Sequence, residues 1–95
     1  MTKRINISSG TKWEGFAGYS RAVRVGDVVH VAGTTAVTQD GAVVGLDDPY
    51  AQTVFILNKI EKALQEAGAL RQDVVRTRMF VVDIERWEEI GRAHG

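Results

Sequence analysis

Apolar and polar residues trade places at two different periods along this chain, and each change of period marks out an element. Ile5 and Ile7 alternate with Asn6 and Ser8, which predicts a short first strand ending at Ser9-Gly10. Residues 11–18 carry two glycines and two aromatic rings with no steady period, so they read as a loop whose rings are tucked against something. Alternation resumes over residues 21–25, and Gly26-Asp27 supplies a two-residue turn because glycine accepts the positive φ of hairpin turns. Residues 28–32 form the returning strand. Gly33 follows it and permits close approach of a ligand or a neighbouring chain, or else marks a bulge. Asp40-Gly41 is a second turn signal before Val43, Val44 and Gly45, consistent with a small hairpin or a shaped loop.

The period then changes to that of a helix. Asp47-Asp48-Pro49 offers capping carboxylates and a proline suited to the first helical position, and the helix is expected to reach Ala67. Thr53, Ile56, Leu57, Ile60, Ala63, Leu64 and Ala67 form one apolar stripe, with Gly68 available to close the C-terminus. Burying that stripe does not by itself offset the cost of ordering the backbone, so it must pack on a sheet. Residues 73–82 are rich in valine and alternate, which predicts a strand with Val75, Thr77, Met79 and Val81 toward the helix. Arg76 and Arg78 fall on the other face, an arrangement suited to a subunit interface or a partly wet cleft. Asp83 can cap a second helix carrying Trp87, Ile90, Gly91 and His94 on one side. Its only stop signal is Gly95, and no strand follows it.

Composition narrows the function classes. The 95 residues hold 12 Lys plus Arg and 12 Asp plus Glu, a formal charge of zero, so nucleic acid is not an expected partner. Hydrophobic residues make up 44%, the mixture of a single globular domain. There is no cysteine, hence no disulfide, zinc-thiolate site or thiol nucleophile. The apolar runs are too short to span a bilayer, and the basic start lacks an apolar h-region, so a cytoplasmic protein with no membrane partner is expected.

Candidate chemistry is sparse. His30 and His94 lack metal-ligand spacing, so no metal is expected, and His30 reads as a satisfied structural histidine rather than a general base. Ser8, Ser9 and Ser20 stand outside any nucleophile elbow. The stretch from Gly15 to Gly18 lacks the ending of a phosphate loop, and Glu85, Glu88 and Glu89 suit a solvated helix face. Tyr19, held between Gly18 and the first good strand, is placed to aim its hydroxyl at a pocket.

These residues together resemble the reactive intermediate deaminase (RidA/YjgF) family over nearly the whole chain. The resemblance rests on Gly18-Tyr-Ser-Arg-Ala-Val-Arg-Val-Gly26, Asp27-Val-Val-His-Val-Ala-Gly33, Gln52 with Asn58-Lys-Ile-Glu-Lys-Ala-Leu64, Glu66-Ala-Gly-Ala69, and Asp73-Val-Val-Arg-Thr-Arg-Met-Phe-Val-Val-Asp83. It implies an α+β, chorismate-mutase-like fold: a mixed β-sheet with two helices packed on one face, forming a homotrimer with ligand clefts between subunits. Trimerisation would cover the sheet face that the helices leave bare.

The family's deaminase members hydrolyse reactive imines and enamines to ammonia and a 2-oxo acid. The resemblance implies a small-molecule ligand bound by Tyr19, Gly33 and Thr34, with no cofactor. Ala32 stands where deaminase members commonly carry serine, and Gly91 where they commonly carry asparagine. These departures favour a ligand-binding branch over the deaminase; a non-enzymatic module presenting Trp13, Phe16 and Trp87 to a partner is a third reading. The family's carboxylate-binding arginine and last two strands have no counterpart here, so residues 1–95 are expected to be one RidA-like domain that is incomplete at its C-terminus, with an incomplete sheet behind the helix.

Overall fold

The structure, a computed structural model, describes residues 4–10, 14 and 19–95. Three antiparallel strands, β1 (Arg4–Ile7), β2 (Ala22–Val25) and β3 (Val28–Val31), form a sheet in that order. The sequence reading placed each of them to within a residue or two. Gly26 takes a φ of 60° at the β2–β3 turn, as the hairpin requires. Register pairs Ile7 with Ala22 and Ala22 with Val31, so Ile7, Ala22, Val29 and Val31 share one face. On that face the core forms from Ile7, Ala22, Ala63 and Ala67, with Val29 and Val31 packed beside them. The opposite face carries Arg4, Asn6, Val23, Val25, Val28 and His30.

Residues 33–48 link the sheet to the first helix. The second turn closes a narrow hairpin in which Val37 and Val43 bridge, and the Val44 amide donates to the Ala36 carbonyl at 2.8 Å. Helix α1 (Pro49–Glu66) begins where expected, with the Asp48 carboxylate accepting from the Ala51 amide at 3.0 Å. Gly68, with φ 84°, turns the chain out of the helix. Arg24 in β2 reaches across to donate from Nη1 to the Ala67 carbonyl at 2.6 Å, fastening the helix end to the sheet. Helix α2 (Trp87–His94) follows a single 3₁₀ turn capped by Asp83, and it packs on α1, with Ile90 buried. Arg92 lies over the Tyr50 ring, 5.5 Å from its centre.

The expected strand over residues 73–82 does not form. Residues 71–73 make a 3₁₀ turn, and residues 74–82 run on without a ladder to any described strand. Alternating valines favour extended backbone, but a strand also needs a neighbour for its N–H and C=O groups, and among the described residues no strand pairs with this segment. Neither face of it is covered: Val75 is 99% exposed and Phe80 88%. His30 lies in β3 as expected and stands exposed on the sheet face away from α1.

Candidate functional site

The hairpin decides which residues meet. Because its turn is at Gly26-Asp27, its open end brings the residues before β2 alongside those after β3, and the Ala32 amide donates to the Arg21 carbonyl at 2.9 Å. Tyr19, Gly33 and Thr34 are therefore neighbours, although fourteen or more positions separate the first from the others. Tyr19 is exposed, Thr34 half-buried, and a Cβ built on Gly33 would meet nothing within 4 Å. That leaves open space beside the Gly33 backbone.

The group joining the three is Arg21, which sequence reasoning did not single out. Its side chain is 3% exposed. Nη1 donates to the Gly33 carbonyl at 2.5 Å and to the Thr34 hydroxyl at 3.1 Å, Nε to the Ser9 hydroxyl at 3.3 Å, and Nη2 to the Tyr19 hydroxyl at 3.4 Å. The guanidinium carbon also lies 5.5 Å from the centre of the Tyr19 ring. Glu14, 4% exposed, supplies the opposite charge, with Oε2 3.8 Å from Arg21 Nη2. Its carboxylate accepts from the Arg21 amide at 3.0 Å, from the Ser9 amide, and from the Ser9 hydroxyl. The Glu14 carbonyl in turn accepts from the Tyr19 amide at 2.9 Å. A signal for this pair was present: an arginine at the mouth of an apolar hairpin needs a counter-charge, and the sequence from position 11 to 18 holds one acid.

Hydrogen-bond accounting distinguishes the roles open to each group. The Thr34 hydroxyl donates its proton to the Ala32 carbonyl at 2.9 Å while accepting from Arg21, so toward a ligand it has acceptor capacity only. Ser9 has its hydroxyl between Glu14 and Arg21, and the Ser8 hydroxyl accepts from the Gly10 amide. Tyr19 accepts from Arg21 and no described group accepts its proton, so it alone of the three offers an O–H.

Two hollows flank this constellation. One of about 370 Å³ is bordered by Thr34, Val37, Gln52, Ile56 and Phe80, and so touches the site through Thr34. Another of about 330 Å³ lies between Ser8, Ser9 and Gly10 and the α1 residues Phe55, Lys59 and Lys62. Tyr19 and Gly33 border neither. Lys59 donates to the Val37 carbonyl at 3.2 Å. Burial holds its ammonium below the ordinary lysine pKa, Arg21 lowers it further, and Glu14 partly opposes them. Among the described residues no cluster of His, Asp or Glu is gathered to hold a metal ion, and no helix is long and apolar enough to cross a membrane. Trp13 and Phe16, expected on a partner surface, and the stretch from Gly15 to Gly18 lie outside the described residues.

Residues 10–95 match the family described as endoribonuclease L-PSP. An uncharacterized Streptomyces coelicolor protein, SCO2049, is 40% identical over 88 residues, covering 93% of this chain and 65% of that protein, so the chain spans just under two thirds of the relative's length. The crystal structure of Rv2704 from Mycobacterium tuberculosis, described as a member of the YjgF/YER057c/UK114 family, is 50% identical. It superposes with a TM-score of 0.84 over 97% of this chain and 71% of Rv2704. PA3499 of Pseudomonas aeruginosa, a protein of unknown function, is 26% identical with a TM-score of 0.78, over 99% of this chain and 69% of its own.

Proposed function

Because the chain belongs to the endoribonuclease L-PSP family, which includes YjgF and UK114 proteins, we propose that it binds a small carboxylate or carbonyl-type metabolite at Tyr19, Gly33 and Thr34. Neighbouring copies in a homotrimer complete the cleft. The observation that carries this reading is that Arg21 holds both a phenolic O–H whose proton no described group accepts and a Gly33 backbone with open space beside it. A phenolic O–H recognises an acceptor oxygen, and open space beside the Gly33 backbone leaves room for a flat ligand.

Assembly is part of the proposal. Among the described residues the buried apolar set is mostly alanine and no large side chain is fully buried, and the sheet face away from α1 exposes Val25 and Val28. Such a face gains by meeting copies of itself. Ala32 has no hydroxyl to offer, which favours ligand binding over imine hydrolysis in this branch. The family's description names an endoribonuclease; a chain with a formal charge of zero supplies no general basic field for tracking phosphates.

Titration with pyruvate, followed by amide chemical shifts in the intact protein, tests the reading. Shifts centred on Tyr19, Gly33 and Thr34 are expected, weakened in Tyr19→Phe and in Gly33→Ala, whose new methyl fills the open space without a clash inside the protomer. Shifts absent there, or unchanged in both variants, would reject the site. Ammonia release from freshly generated 2-aminoacrylate would identify an active deaminase instead.

A further inference from the structure

A buried ion pair is a costly way to fill a core. Two well-packed apolar side chains of similar volume commonly hold a fold as well or better. The Glu14–Arg21 pair stands at 4% and 3% exposure at the mouth of the hairpin, and every side-chain donor contact of Arg21 goes to a residue of the candidate site or to Ser9 beside it. Its position therefore calls for a role besides packing.

We propose that Glu14 and Arg21 are a positioning pair that fixes the direction of hydrogen bonding at the site and so selects a ligand with an anionic or carbonyl acceptor oxygen. This inference rests on the reading of Tyr19 and Gly33 given above. Arg21 has donors and no acceptor, so the oxygen it meets on Tyr19 must present a lone pair, and the phenolic proton is turned outward. Arg21 also takes the Gly33 carbonyl and a lone pair of Thr34, whose proton goes to Ala32. Of these three residues' side chains, only Tyr19 then has a proton to offer a ligand, while Thr34 keeps one lone pair. Glu14 holds the guanidinium through its charge and ties down the Arg21 amide and Ser9, so the fork meets three residues in one orientation. A lysine at position 21 would keep the charge and lose that fork.

The test separates positioning from packing by replacing both partners. Glu14→Met with Arg21→Met removes the pair without leaving a lone buried charge, and Arg21→Lys keeps the charge. The double variant is expected to fold with a lowered melting temperature, because the Arg21 and Ser9 amides lose the carboxylate that accepts from them. Its pyruvate affinity is expected to fall on the order of 10- to 100-fold, the cost of misplacing a recognition group, with a smaller loss in Arg21→Lys. In the ligand-free protein the carbon-13 resonance of the Tyr19 Cζ should move in both variants. A double variant with wild-type affinity and an unmoved Tyr19 resonance would overturn the positioning role. Should Tyr19→Phe bind pyruvate as wild type while the Tyr19 resonance still moves in the double variant, the cleft reading fails and the pair's hold on Tyr19 stands.

Discussion

Lys59 shows how one side chain couples the buried pair to the stability of the whole. It sits half-buried on α1, donating to the Val37 carbonyl, with Arg21 as an unfavourable neighbour. Its folded pKa lies below the ordinary lysine value of 10.5, so between that lowered value and 10.5 the unfolded chain binds more protons than the folded one. Stability must therefore rise with pH through that window, and the folded state bears the full charge penalty below it. Lys59→Met keeps the apolar stem and removes the titration. Chemical denaturation from neutral pH to pH 10.5 should then show a flatter curve for the variant, which is no less stable than wild type at neutral pH. Parallel curves would mean that the ammonium is as well solvated as in the unfolded chain.

At the scale of elements, the local patterns that ended up paired were readable and those lacking a partner were not. Gly26 and Gly68 fall at the φ values of 60° and 84° that their turn and cap require, and Asp48 caps α1, so hairpin and helix were legible from single residues. Residues 74–82 carry equally good alternation yet form no ladder, because period two reports a preference for extended backbone and contains nothing about the neighbouring strand. The Glu14–Arg21 pair escaped notice for a related reason. Its contacts depend on the hairpin register, which brings positions 21, 33 and 34 together, and on an acid in a stretch of the sequence with no steady period. Tyr19 and Gly33 were nameable because each is unusual on its own. The joint between hairpin and helix offers a stability test. A methyl group at Gly68 would impose about 1–2 kcal/mol of left-handed strain and come within 2.7 Å of Arg24 Nη1, which holds the Ala67 carbonyl. Gly68→Ala should lower the melting temperature by roughly 4–8 °C per kcal/mol lost. An unchanged melt would show that Arg24 swings aside and the helix end relaxes at no cost.

The whole molecule is more extended than its length requires. Its radius of gyration is 14.0 Å with extents of 46 × 30 × 18 Å, against about 12 Å for a compact domain of this size. The excess accompanies a core built largely from alanines and an apolar surface that includes Val28 on the open sheet face and Val75 and Phe80 on residues 74–82. Apolar area of that kind is stabilised by contact, and the flat sheet face can meet a copy of itself without disturbing α1 behind it. Val28 is the sharpest probe, being 53% exposed and directed away from the core. A carboxylate there costs the separate protomer little, whereas in an interface it would be stripped of water three times around a trimer axis. Light scattering should find three protomer masses for the wild type and one for Val28→Glu, with the circular dichroism of the helices kept. A wild type that stays at one protomer mass across micromolar concentrations would remove the shared cleft, and ligand recognition would then have to come from Tyr19, Gly33 and Thr34 within a single chain.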